Sequence, residues 1–276
     1  MLEIPEAQVI AGQMQQTITG KIVQSVETNH SPHKFAFFHG DPAAYNGMLA
    51  GKRVDTTAAW AGQIELSAEN FKMVFSDGVN CRYFAAGESL PNKHQLSIGF
   101  TDGSSIVCSV QMYGGFSVFA SGENDNPYYL AAREKRNPLS TDFDSAYFQA
   151  FLEAAKLSLS IKALLATEQR IPGLGNGVLQ DILFNARINP RFKVGNLTDS
   201  EKDALFNSIK STLQEMTVKG GRDTEKDLFG SAGGYATVMS NKTLEKPCPG
   251  CGGVIVRQAF LGGNVYFCPS CQPLKG

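Results

Sequence analysis

The spacing Cys248-x2-Cys251-x16-Cys268-x2-Cys271 constrains what this chain can fold into more than any other feature. Each C-x-x-C places two thiolates on one tight knuckle, and two knuckles close a tetrahedron around a zinc ion. Gly250, Gly252 and Gly253 let the first knuckle turn, and Pro269 stiffens the second. Between them, VIVRQAFLGGNVYF reads as strand, Gly-Gly turn, strand. Four thiolates fill the coordination shell, so the spacing predicts one structural Zn2+ with no open position for catalysis. A disulfide framework is the weaker reading, because MLEIPEAQVI has no basic segment leading into an apolar stretch and the expected compartment is the cytoplasm. Such a ribbon by itself serves DNA, RNA or protein partners alike.

A chain of 276 residues is long for one small core and suits two domains plus an appendage. No apolar run approaches the ~18 residues that cross a bilayer, so no membrane partner is expected. The net charge of −1 argues against a uniformly basic nucleic-acid binder. The average hides an asymmetry: residues 1–150 hold 10 Lys/Arg against 15 Asp/Glu, whereas residues 151–276 hold 15 against 11. A phosphate-binding face should therefore draw on the second half. Cys81 and Cys108 sit singly in strand-like runs and read as buried small hydrophobes.

The periodicity predicts an α+β chain. Residues 5–19 read as a helix that Pro5 opens and Gly20 stops, with Val9, Ile10, Met14 and Ile18 on one face. From about 21 to 120 the text changes to short β-rich runs, among them FKMVF, CRYFA, SIVCSV and FSVFA. Ser76-Asp77-Gly78 and Thr101-Asp102-Gly103 read as hairpin turns, and the spacing predicts a sandwich or barrel. Residues 121–142 read as a polar linker. Helical patterns then cover 143–157, 159–167, 176–187 and 199–217, the last opened by a Thr198/Glu201 capping box. The expected division is 1–120 for helix and β-sandwich, 143–243 for a helical domain and 244–276 for the zinc finger.

Residues 171–190 contain a tight turn, Pro172-Gly173-Leu174-Gly175, with Asn176 at the start of a helix. A helix N-terminus beside bare glycines and an Asn side chain can seat a phosphate, although a capped Gly-rich loop has the same spelling. Arg170, Arg187, Arg191 and Lys193 flank it.

Three features in order give this turn more meaning: a start of M-x-E-[IL]-P-E, the G-x-G-N turn before a helix, and a four-cysteine ribbon ending C-P-x-C-Q. Together they resemble the formamidopyrimidine-DNA glycosylase and endonuclease VIII family of base-excision repair enzymes, and the likeness spans nearly the whole chain. It implies an N-terminal helix with a β-sandwich, a helix–two-turn–helix domain and a zinc finger. The implied activity is DNA N-glycosylase with AP lyase. The damaged base is flipped out of duplex DNA, and the N-terminal amine attacks C1′. The implied partner is double-stranded DNA, damaged or abasic, bound by a monomer.

Carried over residue by residue, Leu2 stands at the nucleophile position, Glu3 matches the catalytic carboxylate and Glu6 a second carboxylate. Asn176, with Gly175 before it, matches the Asn that grips a backbone phosphate, and Lys162 a basic residue ahead of that turn. Met112 and Tyr113 stand where the family has its Arg-Phe wedge, with ordinary strand packing as the alternative. Asn264 lies at the finger tip. The family's nucleophile is a proline, its β-sandwich carries a phosphate-binding Lys where Trp60 stands, and its finger carries an Arg where Gly263 stands. Those three differences imply an alternative function of the same fold: a binder of damaged or abasic DNA that does not cut. A zinc-ribbon protein adaptor is a third reading, from the near-neutral charge. His30 and His33 form an H-x-x-H pair that Ser31-Pro32 makes a loop rather than a ligand pair. The charged run 220–230 reads as a loop over the extruded base with Arg222 facing it, or as a turn in which Asp223 or Thr224 caps a short helix.

Overall fold

The computed structural model describes residues 1–274, so the predicted finger, 244–276, runs two residues beyond the described part. The chain forms two compact units. The first comprises Met1–Arg133 and returns for Gly220–Gly234; the second comprises Glu134–Lys219 and Tyr235–Gly276.

The first unit opens with helix α1 (Ile4–Ile18). Pro5 lies in its first turn, and the chain leaves through Gly20 at φ +84°. Ile4, Ala7, Ile10, Ala11, Met14 and Ile18 are buried along one stripe, which is what a 3.6-residue period produces when one face meets a core. Strands β1 (Val23–Thr28) and β2 (Ala36–His39), the short helix α2 (Tyr45–Leu49), and strands β3 (Val54–Trp60), β4 (Gln63–Ala68), β5 (Phe71–Phe84), β6 (Leu96–Phe100) and β7 (Ser105–Ala120) follow. They build a seven-stranded sheet in the order β1-β6-β7-β5-β4-β3, antiparallel throughout, with β2 lying parallel to β7. Helix α1 packs on β3 and β4 over a core that includes Ile10, Met14, Ile64, Leu66, Met73, Phe75 and Phe116.

Two expected strand breaks are absent. FKMVF and CRYFA are halves of the single 14-residue β5, and SIVCSV and FSVFA are halves of the 16-residue β7. Ser76-Asp77-Gly78 runs inside β5 opposite a bulge of β7, and is not a hairpin turn: pairing runs Asp77↔Gly114 and then Val79↔Val110. The strand facing a bulge can use the same local chemistry as a turn, a residue at positive φ followed by glycine, and Asp77 has φ 60°. Continuous pairing with β7 on both sides decides between them. Along β7 the outer neighbour changes at this point, from β6 at residues 105–108 to β2 at residues 114–117. Thr101-Asp102-Gly103 does join β6 to β7, with Gly103 at φ +85°.

The stretch 121–142 carries a helix, α3 (Pro127–Glu134). It is anchored to the first unit by the Tyr129 hydroxyl, which donates to buried Glu65 (2.6 Å) alongside Lys72 (2.6 Å) and Arg133 (3.3 Å).

The second unit holds helices α4 (Ser145–Glu153), α5 (Ile161–Ala166), α6 (Asn176–Asn185) and α7 (Asp199–Val218), then the hairpin β8 (Val256–Phe260) and β9 (Gly263–Phe267). Asp144, Ser160 and Thr198 cap α4, α5 and α7, and Thr198 forms the predicted capping box with Glu201. Among the described residues, no helix is long and apolar enough to cross a membrane.

Candidate active site, nucleic-acid interface and zinc centre

In the first unit the chemistry gathers where α1 begins. Glu3 and Glu6 are both buried, and the group that makes this tolerable is Arg222. Its guanidinium grips Glu6 through two bonds, Nε to Oε1 (2.9 Å) and a terminal nitrogen to Oε2 (2.8 Å), while its main-chain N–H adds a third (3.1 Å). The other terminal nitrogen lies 3.5 Å from Glu3 Oε2. Burial alone would lower the Arg222 pKa, but the Glu3 and Glu6 charges outweigh it and hold the guanidinium above its ordinary range. Arg222 is 3% exposed, so it faces these carboxylates and not an open base pocket.

The segment carrying Arg222 is fastened along its length. Leu228 is fully buried in the sheet's core, its N–H donates to Gln13, and its carbonyl accepts from Tyr83 N–H (2.9 Å). Residues 220–230 thus form turns at 223–224 and 228–229 with Thr224 exposed, pinned at Arg222 and Leu228, and no capped helix.

Leu2 is 6% exposed and belongs to the hydrophobic core; its main-chain N–H donates to the Asp77 carbonyl (2.6 Å). The Met1 ammonium pairs with Glu225, which also lies close enough to Arg222 to help hold its charge. The amine, Leu2, Glu3, Glu6, Arg222 and Glu225 therefore share one neighbourhood.

The bulge in β7 brings Met112 and Tyr113 to that neighbourhood. Between the pairs Asp77↔Gly114 and Val79↔Val110, β7 carries two more residues than β5 can match, and Gln111–Tyr113 is displaced outward. Met112 is 63% exposed and Tyr113 43% exposed, which is not strand packing. Burial, then the charges of Asp77 and Glu3, raise the Tyr113 pKa, so its phenol stands within electrostatic reach of the carboxylate site. Gly78 makes the displacement possible: a Cβ there would lie 2.3 Å from the Tyr113 carbonyl oxygen. Two exposed aromatics that sequence reading left aside, Phe35 and Phe37, flank the bulge, because the Phe35 carbonyl accepts from Gly114 N–H (3.0 Å) and Phe37 lies opposite Gly115.

Trp60 brings no charge of its own, but the Arg133 guanidinium stacks on its ring at 3.8 Å. That cation was not legible in sequence, since it comes from α3, 73 residues on.

In the second unit the predicted DNA contacts converge. Asn176 is the first residue of α6, after Gly175. Its Nδ2 donates to the Asn264 carbonyl at the finger tip (2.7 Å), which also accepts from Gln180 (3.1 Å). The Asn176 Oδ1 is buried with no hydrogen-bond partner. Lys162 is buried, donates to the Phe260 carbonyl, and has its pKa lowered by that burial. A Cβ on Gly263 would lie 3.5 Å from Asn176 Nδ2 and 3.7 Å from Lys162 Nζ, so the tip, the Asn and the Lys form one cluster. Of the flanking cations, Arg191 stacks on the Phe260 ring at 4.2 Å.

Behind the tip, the four thiols face one another. Cys248 and Cys271 sulfurs are 3.7 Å apart, Cys251 and Cys268 3.5 Å, and all four lie within 4.8 Å of one another. A regular tetrahedron with Zn–S near 2.3 Å needs sulfurs about 3.8 Å apart, and a disulfide about 2.05 Å, so the donor set fits zinc. Gly250 and Gly253 leave room for it, since Cβ atoms there would stand 3.2 Å and 3.3 Å from the Cys271 and Cys251 sulfurs. Gln272, fully buried, ties the second knuckle to the helical layer by accepting from Cys268 N–H (3.1 Å) and donating to the Ile188 carbonyl (2.9 Å).

Residues 135–227 match the family model of the formamidopyrimidine-DNA glycosylase H2TH domain, and residues 245–274 that of the zinc finger found in FPG and IleRS. Both matched domains are ones found in formamidopyrimidine-DNA glycosylases, and the chain is similar to that family along its length. The formamidopyrimidine-DNA glycosylase of Bacillus cereus is 25% identical over 279 residues, with 99% of each chain covered. That of Lactobacillus delbrueckii subsp. bulgaricus is 27% identical over 280 residues, again with 99% of each covered. Among solved structures, Lactococcus lactis Fpg (MutM) in complex with DNA containing N7-benzyl-Fapy-dG matches with a TM-score of 0.83 at 25% identity, over 98% of this chain and 99% of that one. The α+β architecture is that of the family, and its finger holds one structural zinc through Cys248, Cys251, Cys268 and Cys271.

Proposed function

We propose that this protein is a DNA N-glycosylase with AP lyase activity, acting on duplex DNA that carries a damaged base or an abasic site. The observation that carries the reading is the pair of buried carboxylates, Glu3 at the N-cap of α1 and Glu6 in its first turn, beside a terminal amine and the outward bulge of Met112 and Tyr113. A flipped base leaves a hole in the stack, and the exposed thioether and phenol at the bulge are of the kind that fill it. Phosphates beside the lesion are held by the α6 N-terminus with Gly175 and Asn176, by Lys162 and by the finger tip at Asn264. The desolvated Lys162 ammonium supports that assignment, because an anion relieves the cost of burying the charge.

In the reaction, the neutral terminal amine adds its lone pair to C1′, and the C1′–N glycosidic bond breaks. Glu3 takes the first proton the amine sheds and passes it to the base, which departs with the electrons of the broken bond. The sugar ring then opens, the second amine proton passing to O4′, to give a C1′=N Schiff base. A proton then leaves C2′ to a base, and its electron pair expels the 3′ phosphate, nicking the strand. The amine belongs to Leu2 once Met1 is removed, and Glu6 holds Arg222 so that Glu3 keeps its place. Incubation with a duplex carrying one abasic site tests this. Nicking that falls at least about a hundredfold in Glu3→Gln, with binding retained, supports it; wild-type protein that binds without nicking sinks it.

A second reading, a binder of damaged or abasic DNA that does not cut, rests on a specific observation. The Leu2 side chain is buried in the core with its N–H given to Asp77, and Arg222 engages both carboxylates. Under this reading Glu3→Gln leaves affinity for the abasic duplex unchanged and no protein variant nicks it.

A further inference from the structure

We propose that Glu27, His30 and His94 form a second metal site, for a borderline divalent cation of the Zn2+ class, in the first unit and independent of the four-cysteine centre. Glu27 lies near the end of β1, opposite Ser97 of β6. Beyond the strand the ladder continues irregularly: Asn29 N–H donates to the Gln95 carbonyl (2.7 Å) and Ser31 N–H to the His94 carbonyl (2.9 Å), with Asn29 at φ 57°. This backbone pairing sets His30 against His94, 64 residues away, and not against its sequence neighbour His33. The His30 and His94 rings stack with centroids 4.2 Å apart and planes within 8°.

His94 carries the argument. It is 3% exposed, and its Nδ1 lies 2.8 Å from the Pro91 carbonyl oxygen. A carbonyl can only accept, so the proton is on Nδ1 and Nε2 is left as a bare lone pair. That Nε2 is buried with no hydrogen-bond partner, and the nearest Glu27 oxygen, at 3.9 Å, is too far for a hydrogen bond. A ring N–H fixed by a carbonyl with the opposite nitrogen vacant is the arrangement of a ligand histidine. Glu27 supplies a carboxylate, whose other oxygen stands 2.9 Å from His30 Nδ1. One ligand atom from each of the three lies within 4.8 Å of the others.

Two imidazoles and a carboxylate suit Zn2+, Co2+ or Ni2+ better than Ca2+ or Mg2+, and they leave coordination positions for water. In-plane lone pairs of parallel rings do not converge on one point. Binding therefore requires His30, the more exposed ring, to tilt out of the stack, while His94 stays in place.

The test uses full-length protein with the finger zinc loaded. Equilibrium dialysis against micromolar Zn2+, read by elemental analysis, is expected to give one further equivalent per chain. Co2+ added to the same zinc-loaded protein is expected to give weak visible d–d bands without thiolate charge transfer. His30→Ala and Glu27→Gln alter exposed side chains and leave the fold standing; each is expected to weaken the second equivalent by about tenfold or more, and His94→Ala to abolish it. A stoichiometry that stays at one, or an affinity unchanged in both His30→Ala and Glu27→Gln, would overturn the site.

Discussion

The residue on which the first unit's chemistry turns is Arg222. Two buried carboxylates on one helical turn repel each other and lose hydration, and one guanidinium spanning both answers each cost. Removing it leaves those charges uncompensated. Arg222→Ala is expected to destabilise the first unit by about 3–5 kcal/mol, read as a lower urea midpoint with an unchanged slope. Arg222→Lys restores the charge but not the two-pronged grip on Glu6, and is expected to recover only part of that loss. A midpoint unchanged in Arg222→Ala would show that the array carries no net stability. None of this was legible in the run GGRDTEKDLFG, because Glu6 lies 216 residues away and Glu3 stands further still. Glu3 and Glu6 were legible as site residues only through resemblance. The histidines teach the same lesson: H-x-x-H draws attention to His33, and the ring that meets His30 is His94.

At the scale of elements, the bulge turns a paired core strand into an edge that exposes Met112 and Tyr113. Gly78 is where the backbones of β5 and β7 approach too closely for any side chain. Gly78→Ala is expected to cost about 2–4 kcal/mol, or to flatten the bulge and draw Tyr113 inward. Urea unfolding reads the first outcome, and reduced affinity for an abasic duplex the second; a variant with wild-type stability and affinity would contradict this role. The helices were readable from caps and glycines, since Thr198 with Glu201 and Gly20 act within a few residues. The long strands were not. Ser76-Asp77-Gly78 spells a turn and a strand facing a bulge equally well, and only the partner strand decides. Helix α3 was hidden by its polar composition, because it is held by Tyr129 reaching Glu65 and not by an apolar stripe.

Across the whole molecule, the carboxylates, amine and bulge lie in the first unit, and the Asn176 turn and the zinc finger in the second. The four-cysteine spacing announced the second unit's metal, whereas the tip's cluster of Asn176, Lys162 and Asn264 emerged only in three dimensions. Zinc binding supplies the finger's folding energy, on the order of 10 kcal/mol. Chelation, or Cys251→Ser, is expected to unfold the finger and abolish DNA binding while the first unit's sheet persists, read by limited proteolysis with mass mapping. Retained affinity in the metal-free protein would remove the finger from the interface. The central claim is amine-based cleavage at C1′, and borohydride trapping on an abasic duplex tests it most directly. A covalent protein–DNA adduct mapping to the terminal amine is the predicted result. Tight duplex binding with no trapped adduct would contradict it and leave the non-cutting binder standing.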